Sequence, residues 1–287
     1  MYTYKKKAAP KRTTEIIVTI PLKDIEEERK KAFTHLQSGL TVEGFRKGKA
    51  PAEIAKKHIS KEDILKEMLN DLLPRIYEEI VKKENLQPIM SPRVDLTSAK
   101  EGQDWEIKFI IAEKPLVDLG NYKEAVKKIK ADNKKKDIWV PGNGEEPKKE
   151  TENKEKTLNE ILAAVLKETK FEISDLVVEE ELNQRLSRLV DDVQKIGLTV
   201  DAYLKSKNTT IDDLKKRYRQ EIEDTYKLEF VLSEIAEKEK VTVEPEEINK
   251  LLGNITNEKE REAAKQNSYY YATILRKQKT LDFLLAL

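Results

Sequence analysis

Residues 127–156 hold 17 charged side chains in a stretch of 30, together with Pro141-Gly142-Asn143-Gly144 and Pro147. Trp139 and Val140 are almost its only large apolar residues, so the stretch has little to bury and reads as a charged, extended linker. Such a segment argues against one continuous core. It divides the 287-residue chain into a first domain over 1–126 with a basic N-terminal tail, the linker over 127–156, and a last domain over 157–287.

The two domains differ in pattern. In the first, Ile16, Val18 and Ile20 alternate with Glu15 and Thr19, the period of a strand with one buried face. Asp24 and Glu27 predict a capping-box start to a helix that carries Ile25, Ala32, Phe33 and Leu36 and ends near Ser38-Gly39. A second helix begins at Ser60, with Ile64, Leu65, Met68, Leu69, Leu72, Leu73, Ile76, Tyr77 and Ile80 on one broad face and Pro74 expected to bend it. Val94 and Leu96, then Trp105, Ile107, Phe109 and Ile111, alternate as the arms of a hairpin.

Beyond the linker the chain reads almost entirely as helix. Thr157 and Glu160 open one helix, and Phe171-Glu172-Ile173 is a short extended link. Ser174 caps a helix that stops at Gly197, Thr210 with Asp213 starts a long one, and a last helix spans roughly 257–286. The fold class expected is α+β: an N-terminal α/β domain followed by a mostly α-helical, extended C-terminal domain.

Composition narrows the chemistry. Charged residues make up 38% of the chain, well above the quarter or so of ordinary globular domains, which implies long solvated helices. The absence of Cys removes disulfide frameworks, thiolate metal sites and Cys nucleophiles. Two histidines, His35 and His58, both among lysines, offer neither a two-His zinc helix nor a Ser-His-Asp arrangement. No Walker-type loop is present, so no ATP chemistry, cofactor, metal or catalytic residue is expected. The polar start, Met1–Arg12, lacks the apolar run of a secretory signal, and no stretch approaches a membrane span. A cytoplasmic protein with no membrane partner is the expectation. Residues 1–115 hold 23 basic against 19 acidic residues, a net +4, whereas 157–287 hold 21 against 26, a net −5. The first domain therefore suits an anionic partner.

One motif stands out between the first two helices: Thr41-Val42-Glu43-Gly44-Phe45-Arg46-Lys47-Gly48-Lys49-Ala50-Pro51. Gly44 and Gly48 permit positive φ, Pro51 suits a following helix start, and Phe45 falls between the glycines. An aromatic flanked by Arg46, Lys47 and Lys49 is suited to an anionic surface with an apolar notch, such as ribosomal protein framed by RNA phosphate. Composition leaves a second reading open, a solvated loop whose Phe45 tucks into the core.

Gly44-Phe45-Arg46-Lys47-Gly48-Lys49-Ala50-Pro51 resembles the ribosome-docking loop of the bacterial trigger factor family, and the elements around it match that family's N-terminal domain in order and length. The resemblance resumes after the linker at Phe171-Glu172-Ile173, Leu176–Glu181, Gly197–Leu204 and Leu232–Glu239, which are similar to the family's C-terminal chaperone domain. It covers about 13–125 and 156–287. The family implies an ATP-independent chaperone that binds unfolded nascent polypeptides at the ribosomal exit site, with ribosomal protein and rRNA as partners, as a monomer or weak homodimer. It assigns ribosome binding to Gly44, Phe45, Arg46, Lys47, Gly48, Lys49 and Pro51.

Typical members carry a prolyl-isomerase domain of the FKBP type between the two regions. About 30 residues with two large apolar side chains are too few for such a domain, so no isomerase activity is expected even though the family label implies it. Tyr269, Tyr270, Tyr271, Ile274 and Leu275 are candidates for an apolar client-binding wall, with packing of the last helix against its neighbours as the other reading. A prolyl isomerase and an RNA-binding or ribosome-assembly protein are the alternative functions; the acidic last domain without stacking aromatics speaks against the latter.

Overall fold

A computed structural model describes residues 2–136, 150–253, 255 and 257–287. The chain forms two compact units, one of residues 1–114 with 174–177, the other of 115–173 with 178–287.

The first unit runs β1 (Thr3–Ala9), β2 (Thr13–Ile20), α1 (Leu22–Gly39), α2 (Ala52–His58), α3 (Lys61–Lys83), β3 (Arg93–Ser98) and β4 (Trp105–Ala112). The strands make one antiparallel sheet in the order β1-β2-β4-β3. Ile16, Val18 and Ile20 of β2 lie opposite Phe109, Ile107 and Trp105 of β4, so the two period-2 patterns bury one shared face. Onto it α3 lays Met68, Leu72, Ile76 and Ile80, each burial contributing roughly 1.5–3 kcal/mol. Ser60 caps α3 through a reciprocal box with Asp63, as its spacing predicts, and Pro74 lies inside the helix.

Two features of this unit differ from the expectation. The basic N-terminal tail is strand β1, paired along its length with β2 and joined to it by a turn in which Lys11 and Arg12 both have positive φ, 55° and 54°. Nothing there carries the Asn-Gly or Asp-Gly mark of a hairpin turn, so the strand was hidden in the sequence. Side chains stitch β1 and the residue before it to the C-terminal end of α3 and its C-cap residue, Glu84: Tyr2 donates to Glu79 at 2.8 Å, Tyr4 to Glu84 at 2.7 Å, and Lys6 to Glu84 at 3.2 Å. Burial, then the bond to Glu79, pushes the Tyr2 phenol up to about 12. The capping box expected at Asp24 and Glu27 does not form. Pro21 is the N-cap residue and makes no side-chain cap, and the Leu22 N–H donates instead to the Asp104 carboxylate at 2.9 Å, supplied from the turn before β4.

The second unit runs β5 (Leu116–Asp118), α4 (Tyr122–Lys136), α5 (Glu150–Glu168), β6 (Lys170–Glu172), α6 (Asp175–Lys195), α7 (Val200–Ser206), α8 (Ile211–Lys238), α9 (Pro245–Gly253), α10 (Glu258–Gln266) and α11 (Ser268–Ala286), α6 starting in the segment that clusters with the first unit. Its core joins Leu119, Tyr122 and Val126 to Ile161 and Val165 of α5, Val231, Leu232 and Ile235 of α8, and Leu284 of α11. β5 and β6 form a two-stranded antiparallel ribbon. Gly197, at φ 75°, ends α6 with its N–H on the Gln194 carbonyl and the Leu198 N–H on that of Val193, a Schellman closure. Thr210 accepts from the Asp213 N–H to start α8, 28 residues or about 42 Å long.

The stretch read as linker is helical over Lys127–Lys136 and again from Glu150, with Thr157 inside α5 rather than at its start. Tyr122, Val126 and Ile129 recur at i, i+4 and i+7 and pack onto the core, a stripe masked in the sequence by the lysines around it. Asn133 donates to Glu160 at 2.7 Å, holding α4 to α5. Pro141–Gly144, Pro147, Trp139 and Val140 lie outside the described residues. The expected last helix is two helices, α10 and α11, parted at Asn267.

Candidate functional site

The Phe45 loop is set by three local stops. α1 ends at Gly39 with Leu40 extended, Pro51 occupies the N-cap of α2, and the residues between are neither helix nor strand. Gly44 and Gly48 have φ of 84° and 74°, which side chains with a Cβ rarely adopt. The chain closes on itself through backbone bonds: the Phe45 N–H donates to Val42, Lys49 to Arg46, and Gly48 to Leu40 at 2.9 Å. At its base the Gln37 side-chain amide donates to the Ala50 carbonyl at 2.8 Å, and Ala50 itself is buried.

At the tip, Phe45 is 39% exposed, so it does not tuck into the core. Arg46, Lys47 and Lys49 are exposed, and none makes an ion pair or side-chain hydrogen bond among the described residues. Lys56, Lys57 and His58 follow in the last turn of α2. An apolar ring inside a collar of free cations can meet an anionic surface without first breaking internal pairs.

The first unit also holds an open groove of about 680 Å³, with Phe33, Ile64, Leu65, Leu96 and Trp105 in its walls and Lys30 and Lys56 at its rim. Local patterning placed these residues on core faces; Leu65 and Leu96 are nevertheless exposed because no described element covers the end of the α3 stripe.

In the second unit the candidate wall residues begin α11. Tyr269 and Tyr270 are 86% and 63% exposed and Ile274 is 43% exposed, while Tyr271 and Leu275 are half-buried. The Tyr270 and Tyr271 rings meet edge-on at 5.6 Å. Three of the five thus face outward. Ile196 and Leu198, either side of Gly197, are exposed as well. Among the described residues no cluster of acidic or His side chains is disposed to hold a metal, and no helix is long and apolar enough to cross a membrane.

Together the fold and the loop define a two-unit α+β protein that presents one closed basic-aromatic loop and a separate helical surface with outward tyrosines. Two family models match it, that of the bacterial trigger factor protein over residues 1–139 and that of the trigger factor C-terminus over 143–286. The chain belongs to the bacterial trigger factor family. A trigger factor of Streptococcus pneumoniae (strain Hungary19A-6) is 33% identical over 160 residues, 56% of this chain and 35% of that protein. One from Lactococcus lactis subsp. lactis (strain IL1403) is 33% identical over 148 residues, 52% of this chain and 32% of that protein. The aligned chain thus spans about a third of the length of these relatives. A solved structure of the trigger factor chaperone, described for promiscuous substrate recognition in folding and assembly, shares the fold with a TM-score of 0.67 at 15% identity, over 99% of both chains.

Proposed function

We propose that the protein is a ribosome-associated, ATP-independent chaperone that docks through the Phe45 loop and holds unfolded nascent polypeptides. The observation that carries this reading is the tip itself: Phe45 stands exposed among Arg46, Lys47 and Lys49, which have no side-chain partner among the described residues, on a loop closed by its own backbone. Phosphate contacts by the three cations supply a salt-dependent attraction, and the ring supplies an apolar contact to ribosomal protein. Gly44, Gly48 and Pro51 shape the loop rather than touch the partner.

The client surface is assigned to Tyr269, Tyr270 and Ile274, which face outward, with Tyr271 and Leu275 at its edge. Apolar contact is non-directional, so such a surface accepts many sequences weakly. This agrees with the promiscuous recognition described for the solved relative. Docking near the exit site, in the cytoplasm, raises the local concentration of emerging chain and offsets that weakness.

The protein acts without prolyl isomerisation. The N- and C-terminal family matches end at 139 and resume at 143, which leaves no room for a further domain of roughly 100 residues between them. Cosedimentation with ribosomes at two salt concentrations tests the docking role: binding that falls steeply with salt is expected, and its absence at low salt overturns the reading.

A further inference from the structure

The neck of the Phe45 loop depends on one side chain of α1. The Gln37 carbonyl accepts from the Leu40 N–H at 3.2 Å where the loop departs, and the Gln37 Nε2 donates to the Ala50 carbonyl at 2.8 Å where it returns. Between them the Gly48 N–H donates to Leu40, and Gly48 lies so near Ser38 that a Cβ would stand 2.4 Å from the Ser38 carbonyl oxygen. The tip has only short-range bonds, Phe45 to Val42 and Lys49 to Arg46. Neither of these bonds ties one end of the loop to the other; the neck does.

We propose that Gln37 is a positioning residue for docking, its amide latching the neck so that Phe45, Arg46 and Lys47 are held in one arrangement before a partner arrives. The inference rests on the docking role proposed above. Gln37 does not reach the tip and acts through Ala50 and the Gly48 crossing. Its removal leaves the partly buried Ala50 carbonyl without that donor and lets the neck open. A loop closed for only part of the time binds with an affinity reduced by that fraction, and the loss falls on association more than on dissociation.

The test compares Gln37→Met and Gln37→Glu, which keep the length but cannot donate at neutral pH, with Ser38→Ala. Ser38 donates to the His35 carbonyl within α1 and its hydroxyl makes no bond to the loop, so its loss reports a merely structural effect at the helix end. In the free full-length protein the Gly48 amide should exchange roughly three- to tenfold faster in both Gln37 variants. Ribosome affinity should weaken by a similar factor through slower association, with Ser38→Ala matching wild type in both. Unchanged Gly48 exchange, faster exchange with unchanged affinity, or the same losses in Ser38→Ala each overturn the proposal. The tip substitution Phe45→Ala/Arg46→Ala/Lys47→Ala separates the two claims: if it leaves binding intact, the docking role fails, and Gly48 exchange still decides the latch in the free chain.

Discussion

Tyr122 donates its phenolic hydrogen to the Glu239 carboxylate at 2.7 Å, across 117 positions of sequence, and Lys123 donates to the same carboxylate at 2.8 Å. Glu239 is the C-cap residue of α8 and Tyr122 the first residue of α4, so one carboxylate fastens the start of a lysine-rich helix to the end of the longest one. Burial, followed by the bond to Glu239, pushes the Tyr122 phenol well above its ordinary value. The hydrogen bonds from Lys123 and then Tyr122 hold Glu239 below its own.

The signs of those shifts set a pH dependence. The raised phenol stabilises the fold fully below its unfolded value of about 10, and that contribution shrinks above it until pH has risen through the higher folded value; the lowered carboxylate stabilises above its ordinary value and loses that contribution as pH falls through its folded one. Tyr122→Phe should cost roughly 1.5–3 kcal/mol at pH 7. Urea unfolding across pH should show the gap between wild type and variant narrowing above about pH 10. A gap that persists unchanged at high pH would argue that packing, not the hydrogen bond, explains the cost.

At the tip, replacing Phe45, Arg46 and Lys47 together by Ala should abolish ribosome cosedimentation. The three side chains are exposed and the two cations unpaired among the described residues, so stability should change by no more than about 0.5 kcal/mol per site. Unimpaired binding of a folded variant would sink the docking assignment.

The two loop glycines should not be equivalent. Gly44→Ala meets open space and bears only the positive-φ penalty, about 1–2 kcal/mol. Gly48→Ala adds a Cβ 2.4 Å from the Ser38 carbonyl oxygen and should cost more, with distortion of the neck. Denaturation of both variants side by side, with cosedimentation, checks the order; equal costs would show that the Gly48 approach relaxes freely.

For the client surface, Tyr269→Ser, Tyr270→Ser and Ile274→Ser combined should reduce suppression of aggregation of a denatured client. Because these side chains face outward, the fold should lose no more than about 1–2 kcal/mol, including the Tyr270–Tyr271 edge contact. Full suppression by the variant would move the client surface elsewhere.

Isomerase activity is tested on a short Xaa-Pro peptide, whose uncatalysed step takes roughly 10–100 s at 25 °C. The purified chain should leave that rate unchanged. Saturable acceleration would mean that a proline site exists in this chain.

What the amino-acid order determined by itself is local. The alternation of Ile16, Val18 and Ile20, the Ser60–Asp63 box, the Gly197 stop, the Thr210 cap and the Gly-Phe-Arg-Lys-Gly loop are each written within a few residues, where backbone geometry links neighbours directly. Tertiary structure alone decided where partners lie far apart in sequence. Strand β1 exists because β2 offers it an edge and because Glu79 of α3 and Glu84 at its C-cap accept from Tyr2 and Tyr4, not because Lys5, Lys6 and Lys7 favour a strand. α4 is a packed helix and not free linker because Tyr122, Val126 and Ile129 find α5 and α8. The exposure of Tyr269, Tyr270 and Phe45 followed the same rule in reverse: an apolar stripe shows which face is apolar, and only the neighbours that arrive settle whether it is covered.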